Sequence, residues 1–288
     1  MKETFRREAP AKINLALDIL GKRPDGYHAL CSIMQTVSLC DSVELAEGGE
    51  GFTLSMAGFA PPEGRKTLEQ RAAEAFFARL GRVMPPLTVR IAKRTPAYAG
   101  LGGGSADVAA LLRILRDRYA PEMEDTTLES IGAEVGSDMP FCLRGGTALA
   151  AGRGEILTDL PPLPDCWIVL CKPPFPIPTP MLFARADSVA IRHRPDIPGM
   201  RKALENGDLE GVAGRLGNVF EEVLPPECGA VFAIRDALLA AGALGAGMSG
   251  SGPTVFGIFR EEGLARAAQK KTLPLGESYT VGPLGELT

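Results

Sequence analysis

Alternation of apolar and polar residues predicts β-strands in the first third of the chain. In the segment 11–20, AKINLALDIL, the odd-numbered residues from Ile13 to Ile19 are apolar and the even-numbered ones are mostly polar. A strand would place the odd-numbered side chains on one face and turn Lys12 and Asn14 together to the other. Solvent exposure is the ordinary explanation of such a polar face. Shorter strands are predicted at 42–46, 52–56 and 87–94, and a turn at RPDGYH (23–28).

Segments with helical character are interleaved with these strands. One helix is predicted to begin at a capping box of Thr67 and Gln70 and to run to Leu80. Another is predicted to begin at a capping box of Thr126 and Glu129. Further helices are predicted near 199–206 and at 230–241. Strands and helices in this mixture indicate an α+β protein.

Proline becomes dense near the middle of the chain. The segments LPPLP (160–164) and KPPFPIPTP (172–180) surround the strand-like CWIVLC. Such density indicates a domain boundary or a rigid surface loop. With typical domain sizes as a guide, we predict an N-terminal domain over 1–155 and a C-terminal domain over 156–288.

The segment 98–115, YAGLGGGSADVAALLRIL, places four glycines directly before a helical pattern. Glycine costs conformational entropy, and it is often retained where a ligand must approach the backbone closely. A helix start offers free N–H groups and partial positive charge, which favour a phosphate. Ser105 can add a hydroxyl for phosphate or magnesium, and Asp107 is expected in the first helical turn, complementing the dipole. A tight strand-to-helix connection without a ligand would explain the same glycines.

Two common phosphate-binding motifs do not fit this loop. The Walker pattern GxxxxGK[ST] is absent because no lysine follows the glycines. The loop also lies too far along the chain for a dinucleotide-binding GxGxxG motif. A second glycine-rich segment, GMSGSGPT (247–254), is either another loop of close approach or a simple connection between a helix and a strand.

Composition excludes several function classes. The 288 residues carry a formal net charge of -4 without a block of Lys and Arg, which disfavours nucleic-acid binding. No apolar run approaches the roughly 18 residues of a membrane span, and the N-terminal MKETFRREAPAKI lacks the apolar core of a secretory signal. The six cysteines form no CxxC or Cys/His cluster, which fits free thiols in a reducing cytoplasm. We expect a cytoplasmic protein without a zinc-type metal site.

The candidate catalytic residues form no recognisable motif when each is considered alone. Phosphoryl transfer needs a carboxylate near the acceptor hydroxyl and a cation near the transferred group. Asp138 and Lys12 could supply them, although a turn or capping role also explains Asp138. Tyr27 and His28 follow the predicted turn. They are either surface residues or groups that stack on and hydrogen-bond a ring-bearing ligand.

Taken together, these segments resemble the GHMP small-molecule kinases. The resemblance is carried, in chain order, by PAKINLALDILGKRPDGYHAL (10–30), TPAYAGLGGGSADVAALL (95–112), GAEVGSDMPFCLRGGTALAAGRGE (132–155) and GAGMSGSGPTVFGIF (245–259). The match spans nearly the full chain, and its order and spacing are far more specific than either glycine loop. It implies an N-terminal domain of the ribosomal-protein-S5-domain-2-like type and a ferredoxin-like C-terminal domain, with the site between them.

The resemblance also implies an activity. In such a kinase, with Mg²⁺ present, the γ-phosphoryl group of ATP passes to the 2-hydroxyl of a methylerythritol group linked to cytidine diphosphate, in non-mevalonate isoprenoid synthesis. By motif position, Asp138 is the expected general base and Lys12 its electrostatic partner. The ATP phosphates are expected on the loop of Pro96, Ala97, Tyr98, Ala99, Gly100, Leu101, Gly102, Gly103, Gly104, Ser105 and Ala106.

The implied substrate site involves four residues. Asn14, Tyr27 and His28 would line it, with Tyr27 stacking on the cytosine and His28 hydrogen-bonding to it, and Phe183 would lie on the other side of that ring. Thr67 departs from the pattern, because related kinases often carry Asn there. Two alternatives stay open: a GHMP kinase for homoserine, mevalonate or a sugar, and a nucleotide-binding regulator without catalysis.

Overall fold

The computed structural model describes residues 4–57 and 64–287, and it has mixed α and β structure. The strands are β1 (Thr4–Lys22), β2 (His28–Glu47), β3 (Phe52–Met56), β4 (Leu87–Ala92), β5 (Thr147–Gly152), β6 (Ile156–Asp159), β7 (Trp167–Lys172), β8 (Gly217–Asn218), β9 (Gly245–Met248), β10 (Val255–Phe259) and β11 (Glu277–Val281). The helices are α1 (Leu68–Arg79), α2 (Gly103–Tyr119), α3 (Asp125–Val135), α4 (Met139–Arg144), α5 (Thr179–Ser188), α6 (Ile197–Glu205), α7 (Leu209–Ala213), α8 (Ala230–Ala240) and α9 (Glu262–Thr272).

A long antiparallel hairpin of β1 and β2 forms the centre of the larger sheet. The two strands are joined by a turn at 23–27, where RPDGYH predicts one. The strand order is β3-β4-β2-β1-β8, and β5 pairs with β2 and with β6. Helices α1 to α4 pack against this sheet around a core that includes Val43, Phe76 and Leu112.

The smaller sheet has the strand order β11-β7-β10-β9, with antiparallel neighbours throughout. Helix α8 precedes β9 and α9 connects β10 to β11, so the chain follows the β-α-β-β-α-β order of a ferredoxin-like domain. Helices α5, α6 and α7 are inserted between β7 and α8. The core of this half includes Val169, Ile234 and Phe259.

The two sheets share an apolar core, which fixes the elements around the site. Ile13 of β1 and Leu101 of the glycine loop pack in the same cluster as Ile168 of β7 and Phe256 of β10. The short strand β8 also pairs with β1 of the larger sheet. The boundary between residues 155 and 156 falls between β5 and β6, which pair in the larger sheet, and that division stays a prediction.

The predicted alternation of β1 is wrong beyond Leu15. The register between β1 and β2 shifts between Asn14 and Ala16, so Leu15 is an extra residue in the ladder. Ile13 and Leu15 consequently pack in the cluster shared by the two sheets, whereas Leu17 and Ile19 pack in the core of the smaller sheet. The polar face is also not solvent-exposed, because Lys12 and Asn14 are both buried.

Local signals predicted one helix start correctly and another wrongly. The Thr67 side chain caps α1 by accepting a hydrogen bond from the Gln70 amide at 3.3 Å. Helix α3 begins at Asp125, and its N-cap Glu124 makes no capping hydrogen bond, so the capping box at Thr126 is wrong. All six cysteines are free thiols. Within residues 4–57 and 64–287, no helix is both long and apolar enough to cross a lipid bilayer.

Candidate active site

A cavity of about 660 Å³ opens between β1, the β1–β2 turn, the glycine-rich loop before α2, and α5. Its lining includes eight residues predicted from the sequence: Lys12, Asn14, Tyr27, His28, Gly100, Gly102, Asp138 and Phe183. A slightly larger cleft of about 710 Å³, around Arg215 and Arg235, contains none of them. The cavity of about 660 Å³ is therefore the candidate active site, because the predicted site residues line it.

The glycine loop ends in a helix N-terminus without a side-chain cap. Gly102 is the N-cap of α2 at φ +68°, a left-handed conformation that glycine adopts without strain, and no side chain bonds to the first turn. The Ala106 amide bonds to the Gly102 carbonyl at 2.9 Å. The three preceding amides belong to the orphan N–H groups of a helix start. The loop can therefore hold an anion through its backbone.

Lys12 and Asp138 meet in this cavity beside the loop. The Lys12 ammonium lies 3.5 Å from Oδ2 of Asp138 and 2.7 Å from Oδ1 of Asn14. The Lys12 side chain is 5% exposed and that of Asp138 is 35% exposed. A Cβ atom on Gly102 would lie 3.0 Å from Cγ of Lys12, so the glycine provides the space in which the lysine stem packs. The lysine is thus buried, whereas the carboxylate can reach a bound molecule.

The second glycine-rich segment holds the first one in place. The Ser249 hydroxyl donates to the Gly100 carbonyl at 2.9 Å and accepts from the Asn14 amide at 3.2 Å. A Cβ atom on Gly100 would lie only 2.2 Å from the Ser249 carbonyl oxygen. The Asn218 side chain donates to the carbonyls of Met248 and Gly250, each at 2.8 Å. Of the two readings of GMSGSGPT, the structure therefore supports the loop of close approach.

Aromatic and basic side chains form the other end of the cavity. The rings of His28 and Phe183 are stacked, with centroids 4.5 Å apart. The Arg153 guanidinium lies over the Tyr27 ring, 5.0 Å from its centroid. Lys22 also lines this end. Aromatic rings can stack on a nucleobase, and the neighbouring cations can bind a phosphate group attached to it.

Comparison with known proteins fits this geometry. The family model "GHMP kinases N terminal domain" matches residues 67–146, and "GHMP kinases C terminal" matches residues 200–272. The chain belongs to the GHMP kinase family. Family membership implies ATP as the phosphoryl donor, and it confirms the α+β fold expected from the four sequence blocks.

Two relatives of this GHMP kinase match it over most of its length. The 4-diphosphocytidyl-2-C-methyl-D-erythritol kinase of Listeria monocytogenes serotype 4a (strain HCC23) is 41% identical over 259 residues, which is 90% of this chain and 88% of the relative. The enzyme of the same name from Brevibacillus brevis is 42% identical over 257 residues, 88% of this chain and 87% of the relative.

Solved structures give the same result at the level of the fold. A crystal structure of 4-(cytidine 5'-diphospho)-2C-methyl-D-erythritol kinase matches with a TM-score of 0.81 and 30% identity, over 98% of this chain and 100% of that chain. A homoserine kinase from Cytophaga hutchinsonii matches with a TM-score of 0.76 and 17% identity, over 99% of this chain and 96% of that chain. The second likeness concerns the fold alone.

The kinase also contains a buried ion network that the sequence did not reveal. Lys93, directly after β4, bonds to the carboxylates of Asp41 and Asp107, and its ammonium lies 2.6 Å from Oδ2 of Asp107. Burial raises the pKa of Asp107 to about 7, although Lys93 opposes this. The expected position of Asp107 in the first turn of α2 is wrong, because the residue lies beyond that turn. Its side chain accepts a hydrogen bond from Lys93.

Several other site residues escaped the sequence analysis. Arg153, Thr179 and Asp187 line the cavity. Arg153 lies in one of the four blocks that carry the resemblance, but none of the three was predicted as a site residue. Ser249 and Asn218 act through hydrogen bonds between distant segments. Only the glycine content of 247–254 gave a signal for this part of the site.

Proposed function

We propose that this GHMP kinase transfers the γ-phosphoryl group of ATP to the 2-hydroxyl of 4-diphosphocytidyl-2-C-methyl-D-erythritol, in non-mevalonate isoprenoid precursor synthesis. One observation carries the proposal. A single cavity joins the Lys12–Asp138 pair, beside the glycine loop, to an end with stacked rings and cations. Such a cavity matches a long substrate with a hydroxyl at one end and a nucleoside diphosphate at the other. The names of the relatives support this choice of substrate.

The glycine loop is proposed to hold the ATP phosphates. Its backbone amides at the uncapped start of α2 would donate to phosphate oxygens, with the helix dipole adding to the attraction. Gly104 has nothing within 4 Å of the place a Cβ would occupy, so this part of the loop is open to a ligand. The backbone amides of the loop would thus attract the ATP phosphates, as the lysine of a Walker motif does in part through its positive charge.

Asp138 and Lys12 are proposed to act on the acceptor hydroxyl. The Asp138 carboxylate accepts the hydroxyl proton as the oxygen forms its bond to the γ-phosphorus, and the bond from that phosphorus to the leaving ADP breaks. Lys12 neutralises the carboxylate and stabilises the charge on the transferring group. Asn14 accepts from the lysine at 2.7 Å and so holds the ammonium in this position.

The remote end of the cavity is proposed to bind the cytidine diphosphate. Arg153 and Lys22 would meet the diphosphate, and Tyr27, His28 and Phe183 would meet the cytosine. Phe183 already stacks on His28, so the base would lie beside this pair, against Tyr27. Binding energy from this end would orient the 2-hydroxyl at Asp138.

Magnesium is proposed to accompany the ATP. Within the described residues, no cluster of three or more His, Cys, Asp or Glu side chains could hold a metal ion. This fits an ion held mainly by phosphate oxygens and water, as Mg²⁺ often is in kinases. Ser105 in the first turn of α2 is the protein ligand we propose. When bound, the ion would neutralise charge on the β- and γ-phosphates.

A direct assay tests the proposed function. The purified protein is mixed with ATP, Mg²⁺ and 4-diphosphocytidyl-2-C-methyl-D-erythritol, and ADP release and product mass are followed together. We expect one ADP per phosphorylated product. Parallel reactions contain homoserine, mevalonate or galactose instead. Comparable turnover of one of these alcohols would contradict the proposal, as would ATP binding without turnover of any alcohol.

A further inference from the structure

Helix α5 forms one wall of the substrate cavity, and both apolar packing and polar contacts hold it. Pro180, Phe183, Ala184 and Asp187 line the cavity, and their spacing places them on one face of the helix. Among the residues of α5, Leu182 alone is buried. The position of the helix therefore depends on polar contacts as well as on packing.

Polar contacts hold α5 near both of its ends. Near its start, the hydroxyls of Thr179 and Ser251 lie 2.7 Å apart, which joins the helix to the second glycine loop. Near its end, Asp187 reaches the β1–β2 hairpin: Oδ1 lies 2.7 Å from Nε2 of His28, and Oδ2 lies 3.6 Å from Nζ of Lys22. The hydrogen bond from His28 lowers the pKa of Asp187. A carboxylate therefore accepts from one defined nitrogen of the imidazole.

The contact with Asp187 determines what His28 can offer to a ligand. An ionised carboxylate can only accept a hydrogen bond, so Nε2 must donate it. The neutral ring then carries its hydrogen on Nε2 and leaves Nδ1 as an acceptor. In the described part of the chain, no residue bonds to Nδ1 of His28. Phe183 stacks on the ring and limits its rotation. His28 lines the cavity, and its Nδ1 is left without a partner among the described residues, so this nitrogen is an acceptor that a ligand could use.

An acceptor at this place distinguishes two pyrimidines. Cytosine carries an amino group at C4, which donates, whereas uracil carries a carbonyl oxygen, which accepts. A neutral His28 with a free Nδ1 can accept a hydrogen bond from the amino group of cytosine. With uracil, Nδ1 and the C4 carbonyl oxygen would both be acceptors, and no hydrogen bond could form between them. We propose that Asp187 is a positioning residue that fixes the tautomer of His28 and thereby the preference for a 4-aminopyrimidine, an inference that rests on the proposed function.

A spectroscopic experiment tests the tautomer without any turnover. The chain has two histidines, so a His193→Gln variant assigns the imidazole signals of His28 in a long-range ¹⁵N–¹H correlation spectrum. At pH 8 we expect the hydrogen of His28 on Nε2 and a free Nδ1. In Asp187→Asn the amide can donate as well as accept, so we expect signals of the other tautomer. A proton on Nδ1 in the unchanged protein, in either the neutral or the charged ring, would overturn the proposal.

A kinetic experiment tests the consequence for substrate choice. The KM and kcat are measured for ATP, for the cytidine substrate and for its uridine analogue. In Asp187→Asn we expect the KM for the cytidine substrate to rise about tenfold, as for the loss of one hydrogen bond, and the cytidine-over-uridine preference to fall about tenfold. The KM for ATP should change less than about twofold. Asp236→Asn, an exposed carboxylate on α8, is the matched control and should change none of these values.

The possible results separate the two proposals. Equal losses for the cytidine and uridine substrates, with the preference unchanged, would mean that Asp187 only holds α5 in place, and the proposal would fall. Absence of turnover in the unchanged protein would instead overturn the proposed function, and with it the substrate preference inferred here. The spectrum of His28 would still show whether Asp187 fixes the tautomer.

Discussion

The ammonium of Lys12 lies 3.5 Å from the carboxylate of Asp138, and neither residue is near the other in the sequence. Lys12 comes from β1, and Asp138 comes from the turn that leads into α4. The lysine is buried and also bonded to Asn14, so its position is fixed on two sides. The carboxylate is about one-third exposed and lines the cavity. This asymmetry supports the proposed roles, with Asp138 as the proton acceptor and Lys12 as the fixed charge.

Replacing Asp138 by Asn should remove the proton acceptor while keeping the shape of the side chain. We expect kcat to fall by about 10²-fold or more, with the KM for ATP changed little, because general base catalysis typically contributes that much. Steady-state kinetics on the cytidine substrate checks this. Asp159→Asn, an exposed carboxylate of β6, is the control. A kcat near that of the unchanged protein would remove Asp138 from the base role.

Replacing Gly102 by Ala should displace Lys12. Gly102 has φ +68°, where a Cβ atom costs about 1–2 kcal/mol, and the new methyl group would lie 3.0 Å from Cγ and 3.1 Å from Cε of Lys12. Because small displacements of a catalytic group can reduce rates strongly, we expect kcat to fall by about tenfold or more. The free energy of unfolding should fall by about 1–2 kcal/mol.

Gly263→Ala provides the matched control for this substitution. Gly263 lies in α9, far along the chain from the glycine loop, and nothing lies within 4 Å of the place a Cβ would occupy. Gly263 lies in the first turn of α9, so alanine there should stabilise the protein by less than the roughly 1 kcal/mol of a helix interior, and it should leave kcat unchanged. Equal effects of both substitutions on kcat would show that Gly102 does not hold Lys12 in position.

The stability of the protein should depend on pH through Asp107. Burial raises the pKa of this carboxyl to about 7 in the folded state, whereas an unfolded aspartate has a pKa of about 3.9. The folded state therefore binds the proton more tightly, and the free energy of unfolding should fall as the pH rises from about 4 to about 7. Urea titrations across this range measure the slope. Asp107→Asn should flatten the slope, whereas Asp117→Asn, exposed on the same helix, should not.

The parts of the site that depend on local sequence could be predicted. Clustered glycines before a helical pattern correctly predicted a loop that leads into a helix start, and the strand pattern correctly turned Lys12 and Asn14 to the same face. Phosphate binding by this loop stays a prediction. The alternation failed at Leu15, where the ladder contains one extra residue. A bulge depends on the partner strand, so the residues of one strand alone do not reveal it.

The parts that depend on distant contacts could not be predicted. Helix α5 lies in a proline-rich segment, where prolines at its start obscured the helical pattern, so Asp187 gave no signal. The network of Asp41, Lys93 and Asp107 joins three segments, and no single one has a motif for it. Ser249 likewise acquires its role only when the two glycine loops pack together.

Tyr98 offers a test of backbone strain in the glycine loop. Its φ of +52° lies in the left-handed region, which is unfavourable for a bulky residue, and the residue is 81% exposed. Since little packing is lost on truncation, Tyr98→Gly should be about 1 kcal/mol more stable than Tyr98→Ala, which keeps a Cβ atom in the strained conformation. Urea unfolding of both variants measures the difference. At Ala73, a buried site within α1, glycine should instead be destabilising. An alanine variant of Tyr98 as stable as the glycine variant would show that the loop relaxes out of the left-handed conformation in solution.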